Sequence, residues 1–210
     1  MKTRRPPTEG DQTRSALIEA AEELFANFGF DGVSIRQVNT KAGYAASSSH
    51  YHFGSKERLH EAVIQRLMPQ VEAYYAEHEA ELRALGDAMT VRDVVEFQAA
   101  PIIQILDDDP TRGVRWLKVL AALPPVQDPD KLAAYPAMGA LRDAYPQLPE
   151  HRLTNRYFLA ASSLVNLLTH TSTGQTPQER RQRIRFSDMV IDFVAAGLEG
   201  AIQAAISAPR

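Results

Sequence analysis

The sequence predicts an all-α protein of two units, a small three-helix N-terminal bundle joined to a larger helical body. Three observations predict it. Apolar residues recur at helical spacing along nearly the whole chain, and β-branched or aromatic residues rarely alternate with polar ones. The breaks between periodic stretches carry Gly, Pro, Ser or Asp where helices end and begin. With 210 residues, 44% of them hydrophobic, the chain is long enough to bury a core.

A first helix over residues 12 to 28 carries Leu17, Ala21, Leu24, Phe25 and Phe28 as one stripe, with Asp11 as N-cap and Gly29 at its end. Asp31-Gly32 is a turn signal, and Ser34 and Gln37 have the spacing of a capping box, so a short second helix starts there and stops near Ala42-Gly43. Ser47 offers the N-cap of a third short helix running through His50, Tyr51 and His52 to Phe53. Gly54-Ser55 closes it and caps a long fourth helix, about Lys56 to Leu85, with Leu59, Val63 and Leu67 on one face. Beyond Gly86, helices near 91–107, 111–123 and 129–144 are separated by Asp109-Pro110 and Pro124-Pro125, because Pro suits a first turn and breaks an interior. Two longer helices close the chain. One, about Glu150 to Thr171, carries Leu153, Tyr157, Ala161, Leu164 and Leu168; the other, about Pro177 to Ser207, carries Phe186, Val190, Phe193, Leu198 and Ala201.

Composition removes several chemistries. The absence of cysteine excludes disulfides, thiolate nucleophiles and Cys-ligated zinc. No Gly-x-Ser-x-Gly elbow or phosphate-cradling Gly loop accompanies the Ser and His residues, which argues against an enzyme. His50 and His52 are two apart and diverge on a helix, and Asp107-Asp108-Asp109 reads as an N-cap before Pro110, so no metal or cofactor is expected. Met1 to Asp11 lacks the apolar stretch of a signal peptide, and no stretch reads as a membrane span, so a cytoplasmic protein is expected. Residues 1 to 66 hold 9 Lys/Arg against 8 Asp/Glu, too even a balance to claim a basic footprint from totals.

Two short helices joined by a Gly-containing turn form a helix-turn-helix pattern. The run from Ser34 to Leu59 closely resembles the DNA-reading segment of the TetR family, most distinctively in Tyr51-His52-Phe53-Gly54-Ser55-Lys56-Glu57, preceded at the family's spacing by Ala42-Gly43 and Phe28-Gly29. The resemblance implies a flexible basic arm over 1–11, a helix-turn-helix DNA-binding domain over 12–57 and a ligand-binding and dimerisation domain over 58–210. It departs from the family at Ser47, Ser48, Ser49 and His50, where Gly-Thr, an apolar residue and Tyr are usual, and at Asn39, where a small Ala usually packs.

In such a domain the third helix enters the major groove. Arg36 has the planar fork that chelates O6 and N7 of guanine. Ser34, Ala46, Ser47 and Ser48 allow close approach and offer hydroxyls to bases or phosphate, while His50, Tyr51 and His52 lie later on the reading helix and Lys56 heads the fourth, where ammonium and amides favour phosphate. Lys2, Arg4 and Arg5 either enter the adjacent minor groove or remain a solvated tail.

The closing helix pair is apolar on more than one face, and Ala196 with Gly200 and Gly197 with Ala201 place small residues one turn apart. Either they pack within the chain or they form a homodimer's four-helix bundle, which would make the operator a near-palindrome of double-stranded DNA. Phe97, Gln98, Ile102, Trp116, Leu120, Tyr157 and Asn166 supply apolar walls with few polar groups, the makeup either of plain core or of a pocket for a small molecule. The family resemblance implies a repressor released by an inducer. A helical protein-binding adaptor whose head no longer reads DNA, and an α-helical enzyme of unrecognised type, are the competing readings.

Overall fold

The computed structural model describes residues 8–122 and 135–207. Residues 1–7 of the expected arm, the Pro124-Pro125 break and the first part of the helix expected over 129–144 lie outside them, while Thr8 to Asp11, expected in the arm, form the cap and first turn of α1. Among the described residues the chain is helical with no strand: α1 (Glu9–Phe28), α2 (Ile35–Ala42), α3 (Ser48–Phe53), α4 (Lys56–Ile64), α5 (Met68–Ala84), a 3-10 turn (Gly86–Ala88), α6 (Val91–Asp108), α7 (Pro110–Ala121), α8 (Pro136–Ala144), α9 (Glu150–Leu168) and α10 (Pro177–Ser207).

Local chemistry sets the ends. α1 begins before the expected Asp11 cap, because Asp11 completes a reciprocal box: its carboxylate accepts the Thr8 N–H at 3.0 Å while the Thr8 hydroxyl accepts the Asp11 N–H at 3.2 Å. The Ser34–Gln37 box forms as expected, and α2 stops at Gly43, whose φ of 77° is open to glycine at little cost. Ser47 stands at the N-cap position of α3 as expected, but its backbone is already helical and its side chain makes no capping bond. Asp109 caps α7 by accepting the Arg112 N–H at 3.0 Å. α9 stops at Leu168, short of Thr171, because the N–H groups of Thr169, His170 and Thr171 tighten onto carbonyls three residues back.

The long fourth helix is instead two. Pro69 has no N–H for the carbonyl of Gln65, and its ring crowds that carbonyl, so the ladder breaks over residues 65–67. Trp116, wholly buried on α7, donates its indole N–H to the carbonyl of Ile64 at 3.0 Å, the last residue before the break.

Two apolar cores result. The head core gathers Leu17, Ala21 and Phe25 of α1 with Val38, Phe53, Leu59, Val63 and Ile64, and Val119 of α7 belongs to it. The body core starts at Leu67 and runs through α5 to α10, with Leu117 of the same α7 inside it. α10 is long and apolar enough, by length and composition, to cross a membrane, contrary to the reading of the sequence. It lies against α6 and α9, burying Val190, Ile191, Val194, Leu198 and Ile202, with Asp192 and Glu199 on its outer side.

Trp116→Phe removes the shorter of the two donors to the Ile64 carbonyl, leaving it only the Leu67 N–H at 3.3 Å. We expect it to lower stability by about 1–3 kcal/mol in urea denaturation.

Candidate nucleic-acid interface

α3 has only six residues and presents two unlike faces. Ser49 and Phe53 are buried, while Ala46, Ser47, His50 and Tyr51 are exposed, Tyr51 by 85%, and Ser48 and His52 are half-buried. The inner face is fastened to α2 by one side chain. Asn39, 1% exposed, donates through Nδ2 to the carbonyls of Ile35 and Ala46, both at 3.0 Å. Its Oδ1 accepts the Ser49 N–H at 3.0 Å and the Ser49 hydroxyl at 2.9 Å. The carboxamide is therefore satisfied on both ends, and the α2–α3 turn cannot shift without breaking several buried bonds at once.

Ser34 and Arg36 lie exposed at the head of α2, beside the outer face of α3 in the chain's order of elements. His52 meets Tyr51 edge to face at 5.1 Å, which holds part of the exposed ring pair in one orientation. Lys56, half-buried at the start of α4, sits with Nζ 4.2 Å above the ring of Phe30, so its ammonium is placed by a cation–π contact and is not a freely solvated group. Below it His60 is wedged edge-on between Phe25 and Phe30, and burial, aided by the nearby Lys56 charge, moves its imidazole below the ordinary range. Arg14 of α1 lies 5.2 Å over Phe53, covering the far end of α3.

Reading the sequence missed Asn39 and Ser49 as a pair. The available sign was that both depart from the family pattern, ten positions apart, exchanging an apolar contact for a polar one.

The seven residues expected to line a small-molecule pocket are not brought together. Gln98 and Tyr157 face a cavity of about 10 Å³ walled by Val94, Val95, Ala161, Leu164 and Val194, room for about one water. The Tyr157 hydroxyl donates to Gln98 Oε1 at 2.7 Å, and burial holds the phenol well above its ordinary pKa, so it remains a neutral donor. Phe97 stacks on Tyr75 at 5.1 Å and Ile102 is buried core. Trp116 serves the α4–α5 break, Leu120 packs against both cores, and Asn166 is turned to its own helix, donating to the carbonyl of Ser162 at 2.9 Å. Periodicity says which residues face inward, not which neighbours they meet. A wider groove of about 500 Å³, lined by Tyr74, His78, Pro101 and Gln104, opens between α5 and α6 and includes none of the seven. Among the described residues no group of three or more His, Asp or Glu side chains is placed to hold a metal, and Asp107 is engaged by Arg183 at 3.1 Å.

Residues 17–63, which span α1 to α4, match the model described as bacterial regulatory proteins, tetR family. The match lies in the N-terminal unit alone, which is similar to the DNA-binding domain of that family. It is 34% identical over 91 residues to the HTH-type transcriptional repressor NicS of Pseudomonas putida, covering 42% of this chain and 41% of that protein. It is 34% identical over 55 residues to the HTH-type transcriptional regulator RutR of Escherichia coli, 26% of each chain. The chain thus spans less than half the length of these curated relatives. A TetR-family regulator from Streptomyces coelicolor aligns over 96% of this chain and 99% of its own, at 18% identity and a TM-score of 0.49. Each of these relatives is named as a regulator.

Asn39→Ala leaves the Ala46 carbonyl and the Ser49 N–H buried without their partner. A loss of about 2–3 kcal/mol in urea denaturation is expected, against about 1 for Ser49→Ala, which removes only the hydroxyl.

Proposed function

We propose that the chain is a ligand-responsive, DNA-binding transcriptional regulator that acts in the cytoplasm as a repressor. It grips a near-palindromic operator as a homodimer joined through its last two helices, and leaves it when a small molecule enters the body. The observation that carries this reading is the outward face of α3. Its polar and aromatic groups stand in solvent while Ser49 and Phe53 pin the helix from below, the presentation a major-groove reader needs.

In this reading Arg36 chelates a guanine, Ala46, Ser47 and Ser48 meet base edges or phosphate, and Ser34, His50, Tyr51, His52 and Lys56 fix register on the backbone. Lys56 comes to the phosphate already positioned over Phe30, which limits the entropy lost on binding.

The dimer is supported by what α9 and α10 leave uncovered. Leu159, Met189 and Phe193 are 65%, 58% and 68% exposed on two helices that pack side by side. Gly197 and Gly200 have nothing within 4 Å of a notional Cβ, so the small residues are not spent on packing inside the chain. A second copy seated there makes a four-helix bundle and sets the two α3 helices for successive major grooves, about 34–36 Å apart. The inducer site is proposed at Gln98 and Tyr157. Its small volume means that a ligand acts by favouring a state in which the walls have parted.

A mobility-shift assay on the chain's own upstream DNA tests the reader. Arg36→Ala should cost about 1–3 kcal/mol at one base position, and binding should weaken steeply with salt. Unchanged base preference in that variant refutes the Arg36 role, and salt-independent or absent binding favours the adaptor reading. Light scattering tests the dimer: Phe193→Asp buries two unpaired carboxylates in the proposed bundle and should yield a folded monomer with much reduced operator affinity.

A further inference from the structure

We infer that Glu22 is a positioning residue for operator binding: through Arg66 and Arg115 it anchors the head on α7 and so sets the separation of the two α3 helices in the dimer. This rests on the regulator reading above.

Glu22 belongs to α1, yet its side chain is only 1% exposed and faces away from the DNA-reading surface, into the joint between head and body. Two guanidiniums reach it. Arg66, at the break between α4 and α5, brings Nη1 to 3.4 Å from Oε2. Arg115 of α7 brings Nε to 3.9 Å from Oε1 and reaches the neighbouring Glu23 with Nη1 at 3.6 Å. Arg112, one turn earlier on α7, lies close enough to favour the ionised carboxylate. Lys41 of α2 closes the array on Glu23 at 2.7 Å. One network of charge therefore ties α2, α1, the α4–α5 break and α7.

The Nε atoms of Arg112 and Arg115 are buried without a hydrogen-bond partner. Glu22 is the buried carboxylate nearest them on the head's side of the joint. Burial raises the Glu22 carboxyl above its ordinary range, against the smaller opposing pull of the arginines. An apolar contact of the same size would hold head to body without that penalty but would let them slide, since apolar packing has no direction. A carboxylate paired by Arg66 at the α4–α5 break on one oxygen and by Arg115 of α7 on the other has few satisfactory orientations. Because α1 packs on α2, α3 and α4, any rotation of α1 on α7 carries α3 with it as part of one body.

The test separates reading from spacing. Purified full-length protein and its Glu22→Gln variant, which keeps the shape and loses the charge, are titrated against a single half-site duplex, the native palindrome, and palindromes with the centre lengthened or shortened by two base pairs. The expected result is unchanged half-site affinity, about a tenfold loss on the native palindrome, and a flattened preference among spacings. Arg115→Gln, which removes the α7 side of the joint from a partly exposed position, should reproduce the pattern. Equal losses on half-site and palindrome, or a spacing preference as sharp as that of the parent, overturn the inference. A parent protein that binds neither duplex overturns the regulator reading, and this inference with it.

Discussion

A six-residue helix cannot hold itself in water, since nucleation costs more than one turn of hydrogen bonds returns and isolated helices need roughly 12–15 residues to persist. α3 is that short, and everything else in the head exists to immobilise it. Asn39 fastens its start to α2, Phe53 drives its end into the core formed by α1 and α4, and Arg14 lies over that ring from α1. The helix gains rigidity from one face only, which leaves the other free of any structural duty. That division is why the outer residues are polar and small at the start and aromatic further on.

The same logic extends to the body. Had α4 and α5 formed one rod, the head would have been a rigid extension of the α5–α6 layer. Pro69 interrupts the rod, and the end of α4 is caught by Trp116, whose indole joins the Leu67 N–H on the Ile64 carbonyl. α7 thereby becomes the bridge: Trp116 and Leu117 sit in or beside the body core, Val119 belongs to the head core, and Arg112 and Arg115 lie between. Coupling between two units needs a contiguous element with defined contacts to both, and α7 meets that requirement over about two turns.

How much of this was legible follows from which interactions are local. Helix identities came from the 3.6 period, and the Ser34–Gln37 and Asp109–Pro110 caps came from neighbours three residues apart or fewer. The Thr8–Asp11 box was equally local but was masked by Asp11 being a good N-cap by itself. The break near residue 66 was written in Pro69 and overridden by the Leu59, Val63, Leu67 stripe, which continues in phase across it. The exposed side of α3 was readable from the family motif and its polar run. Asn39 needed a partner ten residues away, Trp116 one 52 residues away, and Glu22 partners on two further elements, and no periodic pattern encodes such pairings. The chamber failed for the same reason: Phe97, Ile102 and Trp116 face inward as expected, but inwardness does not specify a shared cavity.

The buried polar groups fall at joints, and their placement says what each joint resists. Asn39 resists rotation of α3 on α2, and Glu22 resists rotation of head on body. The third case is in the body, where Pro101 inside α6 has no N–H for the carbonyl of Phe97, and the Tyr75 hydroxyl bonds the next carbonyl, of Gln98, at 3.0 Å. Gln98 is then held twice, through its backbone by α5 and through its side chain by Tyr157 of α9. These two bonds differ in kind. The first adds a side-chain donor from α5 to the carbonyl next to the one that Pro101 leaves without its helical partner, and so braces α6 beside its weakest turn; the second joins two side chains and is what ties α6 to α9 at this level. Because α7 packs against both α6 and α9, it is seated on both sides of that second contact.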